Sequence, residues 1–498
     1  MTAQAMSQDI KEVELLSVPS CYGEGANDGA YYPIGLLSIG THLTSAMPNL
    51  NVSIIDLHHE ADFEPSAEIV GLSASSTLNY RNVLRLAERA KARGATVVVG
   101  GAHATQLTEQ VLRNRRGLID FVVRGYGERA FVSLLMAMQT GSDLQNVPNL
   151  SWHTGHEVIH TTSTMNRWEY DNFNDPLDFS LLRCGLRPYW DAFKRRIDPN
   201  VDAAFVVFTH FGCGYREKMR AQRNNRSSRP SSWCIYCSLN DPLLSRSGEA
   251  IVAEVSDLLR STSINSGANI LLKCYGDNVG TQLAMLRDLA LAIEKNAVWG
   301  NYCIGWTFYA QSSRVTVQLV KLLARVGTKH LFIGFDTVNN SVQRLNGLGT
   351  SCITHRRAVR LCMDYGIRIQ AGFVLGCAGE TQRSLGETLR FAEELASQGV
   401  LERINSAVLF IIPGSPAYSL LAEREPWIRE LDILPTEELQ WQWVRHFCPH
   451  LGKNPSDGLA ILQRAASRLD DLSPGPHASM GYISSRLEDD CLRESARL

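Results

Sequence analysis

The sequence predicts an α/β protein built on two parallel sheets. An N-terminal doubly wound, Rossmann-like domain is followed by a partial (β/α)6 barrel of the TIM type and a short helical C-terminal region. Three observations predict this. Short apolar strands alternate with amphipathic helices over residues 13–138. The alternation resumes at residue 203 with a different spacing, and six strand–helix units follow. In both runs glycines, small polar residues, cysteines and acids collect where strands end, the side on which α/β sheets hold ligands. The expected boundaries are 1–141, a connector 142–200, a barrel 201–423 and a helical region 424–498.

The chain has 498 residues, which suggests two or three domains. Hydrophobic residues make up 44% and charged residues 20%, the range of an ordinary globular protein. A formal net charge of −2 gives no electrostatic reason to expect a nucleic-acid or membrane-surface partner. The first residues, M-T-A-Q-A-M-S-Q-D-I-K, carry no apolar signal core, and no apolar run is long enough to span a bilayer. Twelve cysteines in such a chain read as reduced thiols, so a cytoplasmic location is expected.

In the first domain, strands are expected at 13–18, 52–56, 69–73, 96–99 and 120–123. Helices are expected at 34–43, 79–93, 107–113 and 127–138. The strand-end loops hold Ser73 and Ser75, Gly100 and Gly101 with His103, and Gly125, Gly127 and Glu128. Small residues there let backbone approach a large ligand, and helix N-termini offer N–H groups to it. A single glycine pair marks only a tight turn; the ordered series is more specific. P-I-G-L-L-S-I-G-T-H-L, S-I-I-D-L, V-V-V-G-G-A-H-A-T and D-F-V-V-R-G-Y-G-E-R resemble, in that order, the B12-binding domain of cobalamin-dependent radical S-adenosylmethionine (SAM) proteins. The resemblance covers most of residues 12–140. It implies cobalamin as a cofactor, held by the loop residues just named. D-x-H-x-x-G, whose histidine ligates cobalt in other B12 proteins, is absent. Asp56-Leu57-His58 begins like it, but Ala61 stands where its glycine should be. No lower axial ligand can therefore be named; His103 reads first as a turn residue.

Residues 142–200 carry Pro148, Pro176, Pro188 and Pro199 among single aromatics such as Trp152, Trp168, Phe173 and Tyr189. This irregular pattern reads as a linker packed over both domains.

Barrel strands are expected at 203–208, 270–275, 302–308, 330–335, 367–375 and 406–412. The helices between them are expected at 250–259, 282–293, 317–325, 353–365 and 385–397. The first strand runs into F-T-H-F-G-C-G-Y, a polar basic stretch, and S-W-C-I-Y-C-S. Three thiolates on one loop, Cys213, Cys234 and Cys237, can hold three irons of a [4Fe–4S] cluster and leave the fourth open. A C-x-x-C pair binds zinc at least as often, so that reading stands beside it. The loop resembles the C-x3-C-x2-C cluster loop of radical SAM enzymes, with an insertion. Gly212-Cys213 matches its start and Cys234-Ile235-Tyr236-Cys237 its end, but twenty residues, not three, separate the first two cysteines. Loop closure grows costlier only slowly with length, so the thiols can still meet. I-G-F-D-T-V-N-N-S-V-Q-R-L-N, G-F-V-L-G-C-A-G-E-T and P-G-S-P-A-Y resemble the same family's fourth, fifth and sixth strand ends. Taken singly, these residues read as turn glycines, a surface arginine and a helix cap; their order at six strand ends is what makes the match specific.

The resemblance implies a [4Fe–4S] cluster on Cys213, Cys234 and Cys237. It implies SAM on the open iron, with Tyr236 beside the adenine and Asp277, Arg314 and Asp336 as polar contacts. It also implies an electron donor such as flavodoxin or ferredoxin. One electron would then cleave SAM to methionine and a 5′-deoxyadenosyl radical, which takes a hydrogen from an unactivated carbon of a small molecule. Methylcobalamin would supply a methyl group, and a second SAM would restore it. The expected function is thus a cobalamin-dependent radical SAM C-methyltransferase. The alternatives are a non-methylating radical SAM enzyme (rearrangement, cyclisation or oxidation) and a zinc-binding module without catalysis. Of the other cysteines, read as packing, Cys274 and Cys377 lie nearest strand ends. In the C-terminal region, Trp441, Trp443 and His446 read as packing before substrate contacts.

Overall fold

The computed structural model describes residues 9–21, 29–163, 174–214, 234–238 and 243–474. The first sheet has the order β2-β1-β3-β4-β5-β6-β7. Its parallel part is β1 (Glu12–Ser17), β2 (Asn51–Asp56), β3 (Ile69–Ser73), β4 (Thr96–Gly100) and β5 (Phe121–Val123). Valine and isoleucine runs such as Thr96–Gly100 are buried on both faces, as a helix-covered parallel sheet requires. The covering helices are α1 (Ile34–Ala46), α2 (Tyr80–Ala92), α3 (Ala102–Gln106), α4 (Thr108–Asn114) and α5 (Glu128–Thr140). Where one helix was expected near 107–113, the chain breaks at Leu107 into α3 and α4.

The sheet runs past the expected boundary at residue 141. β6 (Leu150–His153) and β7 (Val158–His160) add to its edge antiparallel, so this part of the connector is sheet rather than linker. Trp152, buried on β6, packs in the main core. Helix α6 (Arg187–Arg196) then crosses to the second sheet, with Trp190 set edge-on against Phe205.

The second sheet is parallel throughout, in the order β15-β14-β13-β12-β11-β8. Its members are β8 (Ala203–Phe208), β11 (Asn269–Tyr275), β12 (Cys303–Gln311), β13 (Thr328–Gly334), β14 (Arg368–Leu375) and β15 (Leu401–Val408). The sixth strand lies several residues earlier than expected. Leu401–Val408 alternates buried and half-buried positions, with Glu402, Arg403 and Asn405 interleaved, and so does not read as an apolar run. The apolar 409–412 stretch belongs to the loop beyond. Between β8 and β11, β9 (His210–Phe211) and β10 (Leu244–Ser245) form a small antiparallel ribbon. It clamps the two ends of the cysteine loop together, so the inserted segment does not separate them.

Around the barrel stand α7 (Gly248–Ser261), α8 (Leu283–Lys295), α9 (Val317–Arg325), α10 (Asn340–Leu345), α11 (Cys352–Asp364) and α12 (Gln382–Ser397). All but α8 start at a capping side chain: Ser247, Thr316, Asn339, and capping boxes at Ser351/Thr354 and Thr381/Ser384. The C-terminal region adds α13 (Pro416–Arg424), α14 (Thr436–Phe447) and α15 (Pro455–Asp471). Helix α15 lies along β15, where Ser406 Oγ donates to Asp470 at 2.8 Å. Trp443 is buried and donates to the Gly376 carbonyl at 2.8 Å, Trp441 donates to Ser456, and His446 meets Glu425 at 2.8 Å. All three are engaged in packing this outer layer.

Two clasps join the sheets. The Tyr32 hydroxyl donates to the Val206 carbonyl at 2.6 Å and accepts from the Val206 N–H at 2.9 Å, closing the open edge of β8. Asp432, after the barrel, is buried and held by Arg115 (2.6 Å), Tyr80 and Asn114. Among the described residues, no helix is long and apolar enough to cross a membrane.

Candidate functional site

The loop that carries the cysteines leaves β9 through Gly212, whose φ of +80° suits glycine. Cys213 follows. Gly214 is pressed against the β11–α8 connection, where an added Cβ would meet Thr281 Cγ2 at 2.7 Å. Residues 216–232 of the insertion lie outside the described residues. On the returning limb, Ile235 N–H donates to the Asn346 carbonyl at 3.1 Å, and its own carbonyl accepts from Ala417 N–H at 2.8 Å. Asn346 in turn clasps Ala378, donating to its carbonyl at 2.8 Å and accepting from its N–H at 2.9 Å. The Cys-Ile-Tyr-Cys segment is thereby stitched to three other strand ends of the barrel.

The chemistry gathers beside this stitch. The Tyr236 hydroxyl donates to Asp336 at 2.7 Å. Asp336 is buried just beyond β13, with φ at +57°, a conformation non-glycine residues seldom adopt. Burial pushes its carboxyl up to about 6, against the opposing pull of the Tyr236 hydrogen bond. Burial, then Cys237, Asp336 and Cys213, pushes the Cys234 thiol well above the ordinary thiol range. Cys213, Cys234, Cys237, Tyr236 and Asp336 thus form one neighbourhood. Asp277 stands beyond the end of β11. Arg314 follows β12, its Cβ set against the position a Gly280 side chain would need.

Of the other polar residues at this end, only Cys274 and Cys377 drew attention in the sequence. Glu380 is buried and accepts from Gly376 N–H at 2.6 Å, tying the strand-five turn; burial pushes it up to about 7. Gln343 bonds His355 at 2.7 Å, and His355 bonds Ser312 at 2.8 Å. His210 is fully buried against Thr209 at 2.9 Å. Cys274 lies 2.8 Å from Thr209 Oγ1, while Cys377 and Cys448 pack together below Gly376. Asn346 closes α10 at φ −96°, outside the left-handed region in which asparagine marks a helix end, so nothing local pointed to it.

The N-terminal sheet presents a different surface. An added Cβ on Gly101 would meet the Ala74 carbonyl oxygen at 2.5 Å, and its φ of +100° also demands glycine. A Cβ on Gly127 would strike Ile39 at 2.8 Å. Gly125, at φ +69°, donates to Thr105 Oγ1 at 2.9 Å. Ser73 carbonyl and Ser75 Oγ both accept from the Asn79 side chain. Gly100 ends β4 opposite Ser73. Glu128 accepts from Ser38 at 2.8 Å and lines a partly open cavity with Tyr126, Phe208, Phe211 and Arg246, between the two sheets. His103 is buried: one ring nitrogen meets Thr77 at 3.1 Å and the other the Asp432 carbonyl at 3.0 Å. Both nitrogens are occupied, one within the first domain and one at the clasp to the C-terminal region, which leaves neither for a metal in this arrangement.

The donor sets can be tested against the groups they would hold. Among the described residues, no three His, Cys, Asp or Glu side chains converge on a single metal ion. A mononuclear zinc site needs such convergence; cluster thiolates each take a separate iron and need not converge on one atom. A thiol whose ionisation is opposed by desolvation and by neighbouring thiols and an acid suits a site that ionises against bound metal. The glycine-lined strand ends suit a large planar ligand pressed against backbone.

Residues 27–135 match the family model for the B12 binding domain. An uncharacterized methyltransferase of Pyrococcus horikoshii is 23% identical over 67% of this chain and 65% of its own length. An anaerobic magnesium-protoporphyrin IX monomethyl ester cyclase of Synechocystis is 21% identical over 69% of this chain and 64% of its own. The matched regions thus span just under two thirds of these curated relatives. Among solved structures, the radical SAM methyltransferase TsrM of Kitasatospora setae, with cobalamin and a [4Fe–4S] cluster bound, superposes with a TM-score of 0.64. It is 17% identical and covers 84% of this chain and 78% of its own. Family model and fold agree: this chain has a B12-binding domain and, after it, the barrel fold of the cobalamin-binding radical SAM proteins it resembles.

Proposed function

We propose that this protein is a cobalamin-dependent radical SAM enzyme that methylates an unactivated carbon of a small molecule. The observation that carries the reading is the Tyr236–Asp336 contact beside Cys213, Cys234 and Cys237, on a barrel end stitched by Asn346. In this reading the three thiolates hold a [4Fe–4S] cluster, and Tyr236, Asp277, Arg314 and Asp336 hold SAM. Ser73, Ser75, Gly100, Gly101, Gly125, Gly127 and Glu128 line the place of cobalamin. When bound, the cluster supplies the electron that cleaves SAM, and cobalamin supplies the methyl group. The chain's own work is positional. Asn346 and Ala417 fix the cysteine limb, and Asp336 keeps a polar acceptor in a dry pocket. The glycines let ligand approach backbone. A flavodoxin or ferredoxin would deliver electrons from outside.

A second reading, radical chemistry without methylation, is supported by the cyclase of Synechocystis among the relatives. Anaerobic reconstitution with iron and sulfide, followed by electron paramagnetic resonance with and without SAM, tests the site. The expected result is a reduced-cluster signal in the intact protein that SAM alters, and that Cys213→Ala and Cys234→Ala lack. A full cluster in Cys213→Ala would overturn the ligand assignment.

A further inference from the structure

The interior of the second sheet is unlike that of an ordinary barrel, whose core is filled by branched apolar side chains. Two rows of ladder partners cross it below the cysteine end. One row is Lys273, Thr307 and His330; the next is Tyr309, Phe332, Gln370 and Arg403. Side chains two apart on a strand face the same way, so Thr307 and Tyr309 bring both rows to one face. Lys273, Thr307, Tyr309, His330, Gln370 and Arg403 all line one partly open cavity. Tyr31 of the first domain and Phe193 of α6 close it from the open flank.

Two cations meet in this cavity without a matching carboxylate. Arg403 is 7% exposed and donates through one terminal nitrogen to Gln370 at 3.3 Å. Its Nε and other terminal nitrogen are buried and have no partner among the described residues. Lys273 Nζ sits 3.7 Å over the Tyr31 ring. Burial first, then the neighbouring Arg403 guanidinium, pushes this ammonium down to about 7, as befits a cation lacking a counter-ion. Neither acid on the lining pairs with Arg403 or Lys273: Glu402 is held by Arg368 at 2.7 Å and lies 3.7 Å from His330, and Asp198 accepts from Asn200. A guanidinium with two unfilled donors beside a second cation is costly to bury, and its fork geometry matches an oxyanion.

We propose that this cavity, at the amino-terminal half of the barrel and away from the cysteines, binds a small oxyanion, a phosphate or a carboxylate. Arg403 grips it through Nε and the free terminal nitrogen, Lys273 neutralises it, and Tyr31 covers it. The site therefore couples the first domain's β1–α1 loop to the barrel interior. The proposal does not depend on the cluster or on cobalamin.

The test is calorimetric titration of the full-length protein with inorganic phosphate and, separately, with succinate, at constant ionic strength. The wild-type protein is expected to bind one of the two at a single site. Arg403→Met and Lys273→Met are each expected to weaken that binding about tenfold or more. Arg403→Lys, which keeps the charge but loses the fork, should fall between. Saturation by phosphate would mark a phosphate site and saturation by succinate a carboxylate site. Circular dichroism establishes that each variant is folded; should Arg403→Met unfold, Lys273→Met carries the test alone. Equal affinity in wild type and variants, or no binding of either anion to the wild type, would overturn the proposal.

Discussion

The two parallel sheets solve the same problem with opposite materials. Each gathers its candidate binding residues at the carboxyl ends of its strands, where α/β sheets hold ligands. The first does it with backbone: Gly101 and Gly127 sit where an added Cβ would strike Ala74 and Ile39, Gly125 turns the chain at φ +69°, and its buried histidine is tied up in a structural clasp. The second does it with side chains: three thiols, a strained buried Asp336 and a tyrosine bonded to it. The difference teaches where each site is vulnerable. The first is destroyed by adding an atom, the second by removing one.

That contrast makes separable predictions. The largest effect is expected from Cys234→Ala or Cys237→Ala. Either should abolish SAM cleavage and lose most of the reconstituted iron, yet leave cobalamin retention on gel filtration unchanged. Concerted loss of both cofactors would erase the distinction between the two sites. Next in size is Asp432→Ala. It strips Arg115 of a buried partner that also anchors Tyr80, and should cost about 3–5 kcal/mol in urea unfolding. Gly101→Ala should destabilise the fold by about 3 kcal/mol through its positive φ and the clash with Ala74. It should impair cobalamin retention with iron loading intact, the converse of the cysteine variants.

The smallest effect is a pH dependence. Burial pushes His103 down to about 4 from an ordinary 6.5. The unfolded chain takes up this proton first, so the contribution is whole above about pH 6.5 and is lost as pH falls toward 4. Between pH 7 and 5 its share of the loss should be about 2 kcal/mol, beside like shares from the buried His210 and His355, and His103→Gln should remove that share from the unfolding curves.

What the sequence made legible follows the same divide. The strand Ala203–Phe208 and the helix Val317–Arg325 stand where periodicity put them, because each is apolar in the pattern its neighbours demand. The sixth strand was misplaced because Glu402 and Arg403 interrupt its apolar pattern and Arg403 faces a polar interior. The sheet extension through β6 and β7 was hidden by prolines and turns in an irregular stretch. Asn346 and Asp432 gave no warning of what they hold. Their roles exist only through partners far away in the chain, such as Arg115 for Asp432, and local spacing carries no trace of that. Cys234 and Cys237 were conspicuous because thiol spacing is a local signal. Their neighbour Asp336 stood out only as part of an ordered motif.

The central claim is that one chain runs radical cleavage of SAM at the barrel and methyl transfer at the first domain. Incubating anaerobically reconstituted protein with SAM, a reductant and hydroxocobalamin, then identifying SAM products by mass spectrometry, tests it most directly. The account predicts both 5′-deoxyadenosine and S-adenosylhomocysteine, with cobalamin co-eluting with the protein. 5′-Deoxyadenosine alone would contradict the methyl-transfer half, and neither product from a protein that takes up no iron would contradict the whole.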